Sequence, residues 1–276
     1  MKRKISRTTI FVLLLMGAVI MAFPFYYMVI TSFKTSTFIF STPPQLIPNP
    51  ATFDNYKEVW NMASFSKYFL NSTIIVIPAV LLNVFLSSLT AYGFARFKFP
   101  GKELWYTVLL ATLSVPGILL IIPQFNMISH FKFFMDNKFT IILTSGIGGI
   151  AFNAFFLRGY YESMPVEYEE SAEIDGCNAF QTYFYIALPQ SLPAIASLII
   201  MSFLGVWDDY FWPSLILRSK DNWTLPIGIM ALRDQHSVQW NLIFAGTMIS
   251  LIPVLIIYFV FQKYFIKTVS EGGLKM

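Results

Sequence analysis

Met164–Pro193 reads MPVEYEESAEIDGCNAFQTYFYIALPQSLP, a polar, acid-rich stretch set between long apolar runs. Pro165 suits the first position of a helix, and Glu167, Glu169 and Glu170 fall in its first turn, where the positive end of the helix dipole favours carboxylates. Gly176 suits the stop, because a glycine takes the left-handed conformation that closes a helix. These signals predict a surface helix of roughly ten residues, ~15 Å at about 1.5 Å per residue. A second helical run follows, with Phe180, Phe184 and Ala187 at helical spacing, and Pro189 and Pro193 are expected to break the chain as it re-enters an apolar segment. The stretch is thus an exposed helix-turn-helix tied at both ends to membrane spans.

Composition supports that setting. Of 276 residues, 56% are hydrophobic and 12% charged, and the mean hydropathy is +0.61. Such a chain is an integral membrane protein rather than a soluble core. The net charge of +4 does not indicate nucleic acid, because Lys and Arg sit in short clusters beside apolar runs and therefore mark topology. Cys177 is the one cysteine and is read as a bystander; His130 and His236 lack partners at metal-ligand spacing, so no metal site is expected.

Six apolar spans follow in order. Residues 1–9 carry Lys2, Arg3, Lys4 and Arg7 and precede an uncharged run from Ile10 to Ile30, kinked at Pro24 and not followed by a signal-peptide cleavage pattern. A proline-rich connector, Ser32–Tyr68, leads to the second span, Phe69–Ala95, and to the basic loop Arg96–Lys102. The third, Leu104–Phe131, is interrupted by Pro116-Gly117 and Pro123, with a packed kink expected and a broken helix facing the pathway as the alternative. The fourth, Phe139–Leu157, holds Gly146, Gly148 and Gly149, read as close helix packing because a phosphate loop would need a lysine and a preceding strand. The fifth runs from Ala194 to Trp212 and the sixth from Leu242 to Phe261. Pro189 to Asp208 is ~28 Å of helix, close to the ~30 Å hydrocarbon core, so Asp208 and Asp209 belong near the face opposite the insert. With six spans both termini share the side of the insert, and the modest bias of Lys and Arg makes that side cytoplasmic. The resulting division is a cytoplasmic N-terminus at 1–9, a transmembrane domain at 10–262 containing the insert at 158–193, and a cytoplasmic tail at 263–276.

Within the insert, Glu170-Ser171-Ala172, three residues, Gly176, nine residues, Ile186, one residue and Leu188-Pro189 resemble the coupling loop of ABC-type import permeases, whose pattern is Glu-Ala-Ala, Gly, Ile-x-Leu-Pro at this spacing. Ser171 replaces the first alanine with another small residue. Four other stretches resemble the carbohydrate branch of the same family. They are Ser32-Phe33-Lys34 with Asn55-Tyr56, then Ala91–Lys102, then Trp207–Pro213 with Asp208 in place of the usual Asn, and the tail Glu271–Met276. The last is similar to the tail of the smaller permease subunit of maltose-type importers, which reaches into the ATPase dimer.

The resemblance implies an all-α permease of six transmembrane helices, the type I importer fold, in a bacterial or archaeal plasma membrane. It implies four kinds of partner: a second homologous permease, two ATP-binding cassette subunits, an extracytoplasmic solute-binding protein and membrane lipid. No nucleic acid is among them. This chain would hold no cofactor and hydrolyse nothing, ATP and Mg being used by the partner ATPase. Coupling would fall to Glu170 through charge pairing, Ser171 and Ala172 through close approach, Asp175 and Gly176 at the sharp turn, and Ile186, Leu188 and Pro189 at the re-entry. For the solute path the candidates are Asn83, Asn153, Trp207, Asp208 and Asp209. Two alternatives for the aspartates stay open, interfacial placement among belt aromatics and the outer mouth of a solute path. Polar groups in the spans, Asn83, Ser87, Ser114, Asn153 and Ser202, suit interhelical hydrogen bonds.

The implied solute is a sugar, a di- or oligosaccharide. The alternatives are a glycerol phosphate or other polar solute, and an ion-coupled carrier using Asp208. A carrier usually needs ionisable groups inside its bundle, and between Ile10 and Trp207 the spans have no Asp, Glu, Lys or Arg. An intramembrane hydrolase lacks a nucleophile–base or metal-ligand set.

Overall fold

The computed structural model describes residues 7–62, 64–233 and 238–273, with side chains described through Tyr264. The cations Lys2, Arg3 and Lys4, the residue His236 and the end of the tail, Leu274–Met276, lie outside the described residues, as do the side chains of Lys267 and Glu271. Among the described residues four helices are long and apolar enough to cross a membrane, and two bent helix pairs pass as further spans. The spans are α1 (Arg7–Ser32), α3 (Phe65–Arg96), α4 with α5 (Lys102–Ala111, Gly117–Ser129), α6 with α7 (Lys138–Ile147, Ile150–Ser163), α11 with α12 (Leu192–Trp207, Phe211–Ile216) and α14 (Trp240–Gly273). Short helices α2 (Asp54–Asn61) and α13 (Leu225–Met230) lie in the connectors, and α8 (Glu167–Ile174), α9 (Ala179–Thr182) and α10 (Leu188–Gln190) in the insert. This is the expected six-span, all-helical order.

The chain divides into two compact units, Met1–Ser66 with Gly228–Ile252, and Lys67–Ile227 with Pro253–Met276. In the first unit the apolar window of α1 is 0% buried. Its apolar surface therefore faces whatever surrounds the chain. The unit is fastened around Asn55 of α2. Its amide donates to the carbonyls of Ser32 and Lys34, both at 2.8 Å, and its Oδ1 accepts from Asn241 Nδ2 at 2.8 Å. Ser32 Oγ and Tyr56 OH share a bond of 2.6 Å, and Phe33 packs edge-on against Phe53 at 5.1 Å. The two connector segments picked out in the sequence are thus partners of each other.

The second unit is built on α3. Ile75 of α3 packs with Ile141, Ile216, Leu217 and Ile227 in a buried cluster. One turn and more along, Gly146 of α6 lies so close that a Cβ there would sit 2.7 Å from Leu82 Cδ2, which accounts for the close packing expected of that glycine. The same glycine run also breaks the span, by 41°, with Gly149 at φ +75°. A break in a span frees carbonyls that lipid cannot satisfy. Here Asn83 of α3 satisfies two, donating to Gly146 O at 3.3 Å and Gly148 O at 2.5 Å.

The third span departs from the packed kink expected of it. Pro116-Gly117 turns the chain through 97° between α4 and α5, while Pro123 sits inside an unbroken α5. Pro116 has no N–H and starts the second helix as its N-cap, so two helices meet there rather than one bending. In the insert, Pro189 and Pro193 stand on either side of an interruption at Ser191, where the chain re-enters the span as expected. Both occupy the first turns of helices, α10 and α11, where a missing N–H leaves no bond unmade.

At the end of the second unit opposite the insert, Asp136 closes two loops together. Its Oδ1 accepts from Arg218 N at 2.9 Å and Ser219 N at 3.0 Å, and its carbonyl accepts from Asn222 Nδ2 at 2.7 Å. Burial pushes the carboxyl up, but the bonds from Ser219, Asn222 and Arg218 outweigh it and hold the carboxyl below its ordinary value of 3.8. A depressed carboxylate stabilises the fold above its unfolded-state pKa, and that stability is lost as pH falls through the lower folded value.

Two outcomes follow for thermal unfolding in detergent. Asp136→Ala is expected to lose ~2–3 kcal/mol at neutral pH, the worth of hydrogen bonds to a charged group, and to lack the wild type's decline below pH 3.8. Asn83→Ala, which strands two carbonyls, is expected to lose ~1–2 kcal/mol; unchanged melting would show that water reaches the break.

Candidate functional site

The insert begins where α7 ends. Met164 caps α7, and α8 opens with Glu167, Glu169 and Glu170 in its first turn. Only Glu169 and Ala172 of α8 are buried. They lie three residues apart on one stripe of the helix, and Glu169 faces α3. The helix ends at Gly176, φ +90°, whose N–H donates to Glu173 O at 3.0 Å while Cys177 N–H donates to Ala172 O at 2.9 Å. That paired closure is the left-handed glycine stop expected from the sequence. Asn178 then caps α9 reciprocally with Gln181, and a π-helical segment, Tyr183–Ala187, carries the chain back towards the span.

Three residues of α3 at i, i+4 and i+8, Ser88, Tyr92 and Arg96, share one helix face and hold the insert from below. Arg96 Nε donates to Glu169 Oε1 at 2.7 Å, and its Nη2 donates to Met164 O at 3.0 Å. The guanidinium therefore lies between the negative end of α7 and an acid at the start of α8. Both side chains of this ion pair are nearly covered, 12% and 9% exposed. Tyr92 OH donates to the other carboxylate oxygen at 3.0 Å, and its ring lies 5.4 Å from Tyr161 and 5.1 Å from Tyr183. Tyr183 OH donates to Ser88 Oγ at 2.8 Å, and Ser88 and Tyr161 share a bond of 2.7 Å. Burial pushes the Tyr183 hydroxyl up to about 12, so it stays protonated and remains a donor. Tyr161 OH also bonds Ser191 Oγ at 3.2 Å, which reaches the start of α11.

The remaining insert residues form the outward face. Glu170, Ser171, Asp175, Gly176 and Pro189 are exposed, while Ile186 and Leu188 are half-buried. Ser171 Oγ donates to Glu167 O at 2.7 Å and so stays on its own helix. Beside the acids stand large apolar groups, with Ile174 86% and Phe180 72% exposed. Arg158 does not join this face. It pairs with Glu162 at 2.7 Å and stacks 3.8 Å over Tyr106. Arg96 and Arg158 are thus both taken up internally, and the outward face is acidic and apolar.

Sequence reasoning missed Glu169, Tyr92 and Arg96 as a set. Arg96 stands in a basic loop that reads as a topology signal, and Glu169 is one of three acids in a single turn. The available signal was the period-four run Ser88, Tyr92, Arg96 ending at the insert's depth.

Of the candidates for a solute path, the structure brings together Asn83 and Asn153. Asn153 Nδ2 donates to Asn83 Oδ1 at 2.6 Å and to Ser202 Oγ at 3.3 Å. These three line a cavity of ≈ 350 Å³ with Ser145 and Gly149. Asn83, donating twice and accepting twice, is fully occupied. Trp207, Asp208 and Asp209 lie apart from that lining. Trp207 is buried, stacked 5.5 Å from Phe203; Asp208 is exposed at the end of α11; and Asp209 accepts from Trp212 N at 3.3 Å ahead of α12. Among the described residues no group of His, Cys, Asp and Glu could hold a metal ion.

Residues 83–271 match the family described as binding-protein-dependent transport system inner membrane component. The chain is 35% identical to the diacetylchitobiose uptake system permease protein of Streptomyces coelicolor, over 94% of this chain and 86% of that one. It is 31% identical to the arabinooligosaccharides transport system permease protein of Bacillus subtilis, over 99% and 96%. Its fold is also that of a solved bacterial ABC transporter involved in import of the polysaccharide alginate, with a TM-score of 0.80 and 24% identity, covering 95% of this chain and 99% of that one. With the six spans and the insert between α7 and α11, these likenesses establish that the chain belongs to the binding-protein-dependent transport system inner membrane components, as the multi-pass permease subunit of an ABC importer.

Proposed function

We propose that this permease imports an oligosaccharide, and that the insert is the surface by which partner ATPases drive it. The observation that carries the coupling half is the sorting of charge on α8. Glu169 and Ala172 face inward, and Glu170, with Ile174 and Phe180, faces out on a surface whose nearby arginines are already paired. A groove with a cation for Glu170 and apolar pockets for the rings complements such a face. Ser171 and Ala172 allow close approach, and Asp175 and Gly176 set the turn. Ile186, Leu188 and Pro189 link the insert to α11. ATP and Mg are used by the partner, and this chain supplies no group to hydrolysis. The apolar length of α1 is covered by a second homologous permease and by lipid, and an extracytoplasmic binding protein delivers the solute to the end opposite the insert. Both termini are then cytoplasmic.

The sugar half rests on the relatives, whose names specify diacetylchitobiose and arabinooligosaccharides. It is supported by the uncharged, hydrogen-bonding lining of the cavity at Asn153, Ser145 and Ser202. Neutral hydroxyls suit amide and hydroxyl partners, whereas a phosphate-bearing solute would favour cations. Asn153 is the better candidate for solute contact, since both donors and acceptor of Asn83 are engaged within the chain.

Two measurements test these readings. Mass spectrometry of proteins co-purifying with the tagged chain is expected to recover an ATPase and a second permease with the wild type. With Glu170→Arg the ATPase should fall at least tenfold while the permease stays; an ATPase indifferent to position 170 would remove the coupling reading. Uptake of labelled diacetylchitobiose and arabinooligosaccharides into cells should be saturable and dependent on this chain. Asn153→Ala should lower it about tenfold, ~1.4 kcal/mol, at normal expression. Failure of both sugars to enter or compete, with uptake of glycerol phosphate, would overturn the sugar reading.

A further inference from the structure

The insert is attached covalently to α7 and α11, yet its tightest polar contacts are with α3. We infer that Arg96, with Tyr92, is a positioning residue for transport: the buried pair Arg96–Glu169 makes α3 a third strut of the insert and carries the insert's movement to the cavity at Asn83. This inference rests on the coupling role proposed above.

Four observations on one helix carry it. Arg96 bridges the end of α7 and the start of α8 through Met164 O and Glu169 Oε1, so α3 grips both sides of the joint at once. Tyr92 holds the second oxygen of the same carboxylate, which fixes its orientation. Ser88 takes the hydroxyl of Tyr183, so the returning half of the insert is bound to the same helix. Farther along α3, Asn83 holds the free carbonyls of the broken span and the amide of Asn153 at the cavity. From Arg96 to Asn83 is ~20 Å of continuous helix at about 1.5 Å per residue, with no proline or glycine except Gly93.

A buried ion pair is a poor source of net stability, because desolvating two charges offsets their attraction. It is strongly directional, however, and breaking it strands a charge, so the insert cannot slide on α3 without a large penalty. The broken span at Gly148-Gly149 lines the cavity, and its carbonyls are held by the helix the insert would push. A purely anchoring role would stabilise the complex and leave the cavity's response to nucleotide intact.

The test uses the whole complex, this chain with its second permease and ATPase, co-expressed and placed in nanodiscs. In a Cys177→Ser background, Ser145→Cys places a reporter thiol in the cavity lining. Its labelling by a membrane-impermeant maleimide is followed without nucleotide and with ATP and vanadate, alongside ATP hydrolysis. The parent should show a several-fold, nucleotide-dependent change in labelling rate. Arg96→Ala and Glu169→Ala should retain the ATPase and its hydrolysis but shrink that change below twofold, and Arg96→Glu combined with Glu169→Arg should recover part of it. An unaltered change in Arg96→Ala overturns the inference, whatever it does to yield. Should Arg96→Ala fail to assemble, Tyr92→Phe decides, since it removes a single bond to Glu169: a change reduced at least twofold supports the strut, and an unaltered one overturns it. A parent that recovers no ATPase, or shows no response to nucleotide, instead defeats the coupling reading on which the strut depends.

Discussion

Hydrocarbon offers no partner for a backbone N–H or C=O, and this constraint orders the whole molecule. It permits long helices such as α3 and α14 without further provision. Where a span breaks, some side chain or helix start must supply what lipid cannot. Asn83 does so at the glycine break of the fourth span, and the Pro116 junction does so by beginning a new helix whose N-cap has no N–H to satisfy. The side chain of Asn83 is thereby committed to the backbone, and the polar cavity beside it is left to Asn153, Ser202 and Ser145.

The second organising feature is the disposition of charge at the insert. Its inward acid is neutralised by Arg96, and its only cation, Arg158, by Glu162 and the face of Tyr106. What remains outward is acidic and aromatic, and it is presented by an α8 held at Ala172, Glu169 and the Gly176 closure. The docking role proposed for the insert requires a surface that is rigid on its own side of the interface. The buried tyrosines at 92, 161 and 183 provide that, since each ring packs on another and each hydroxyl has a partner.

In the connectors the provisions are different in kind. Asn55 and Asp136 each organise loops by receiving or donating several bonds at once, Asn55 within one unit and Asp136 within the other. Connectors between long spans have little apolar area to bury, so a single well-placed amide or carboxylate does the work a core does elsewhere.

Sequence alone determined the spans, because long apolar runs bounded by charge have no soluble alternative, and it determined the insert, because Pro165, three early acids and Gly176 each satisfy a local backbone requirement. The glycine stop is local chemistry and was legible; so was the order of six spans. Three things were decided only in the tertiary structure. Which of the adjacent acids turns inward depends on the phase of α8 against α3, and a stretch of eight residues carries no record of that phase. Whether Arg96 marks topology or fills a buried site depends on Met164 and Glu169, which are distant in sequence. The 97° turn at Pro116 and the 41° turn at Gly148-Gly149 depend on packing, since proline and glycine remove a bond or a steric barrier but prescribe no angle.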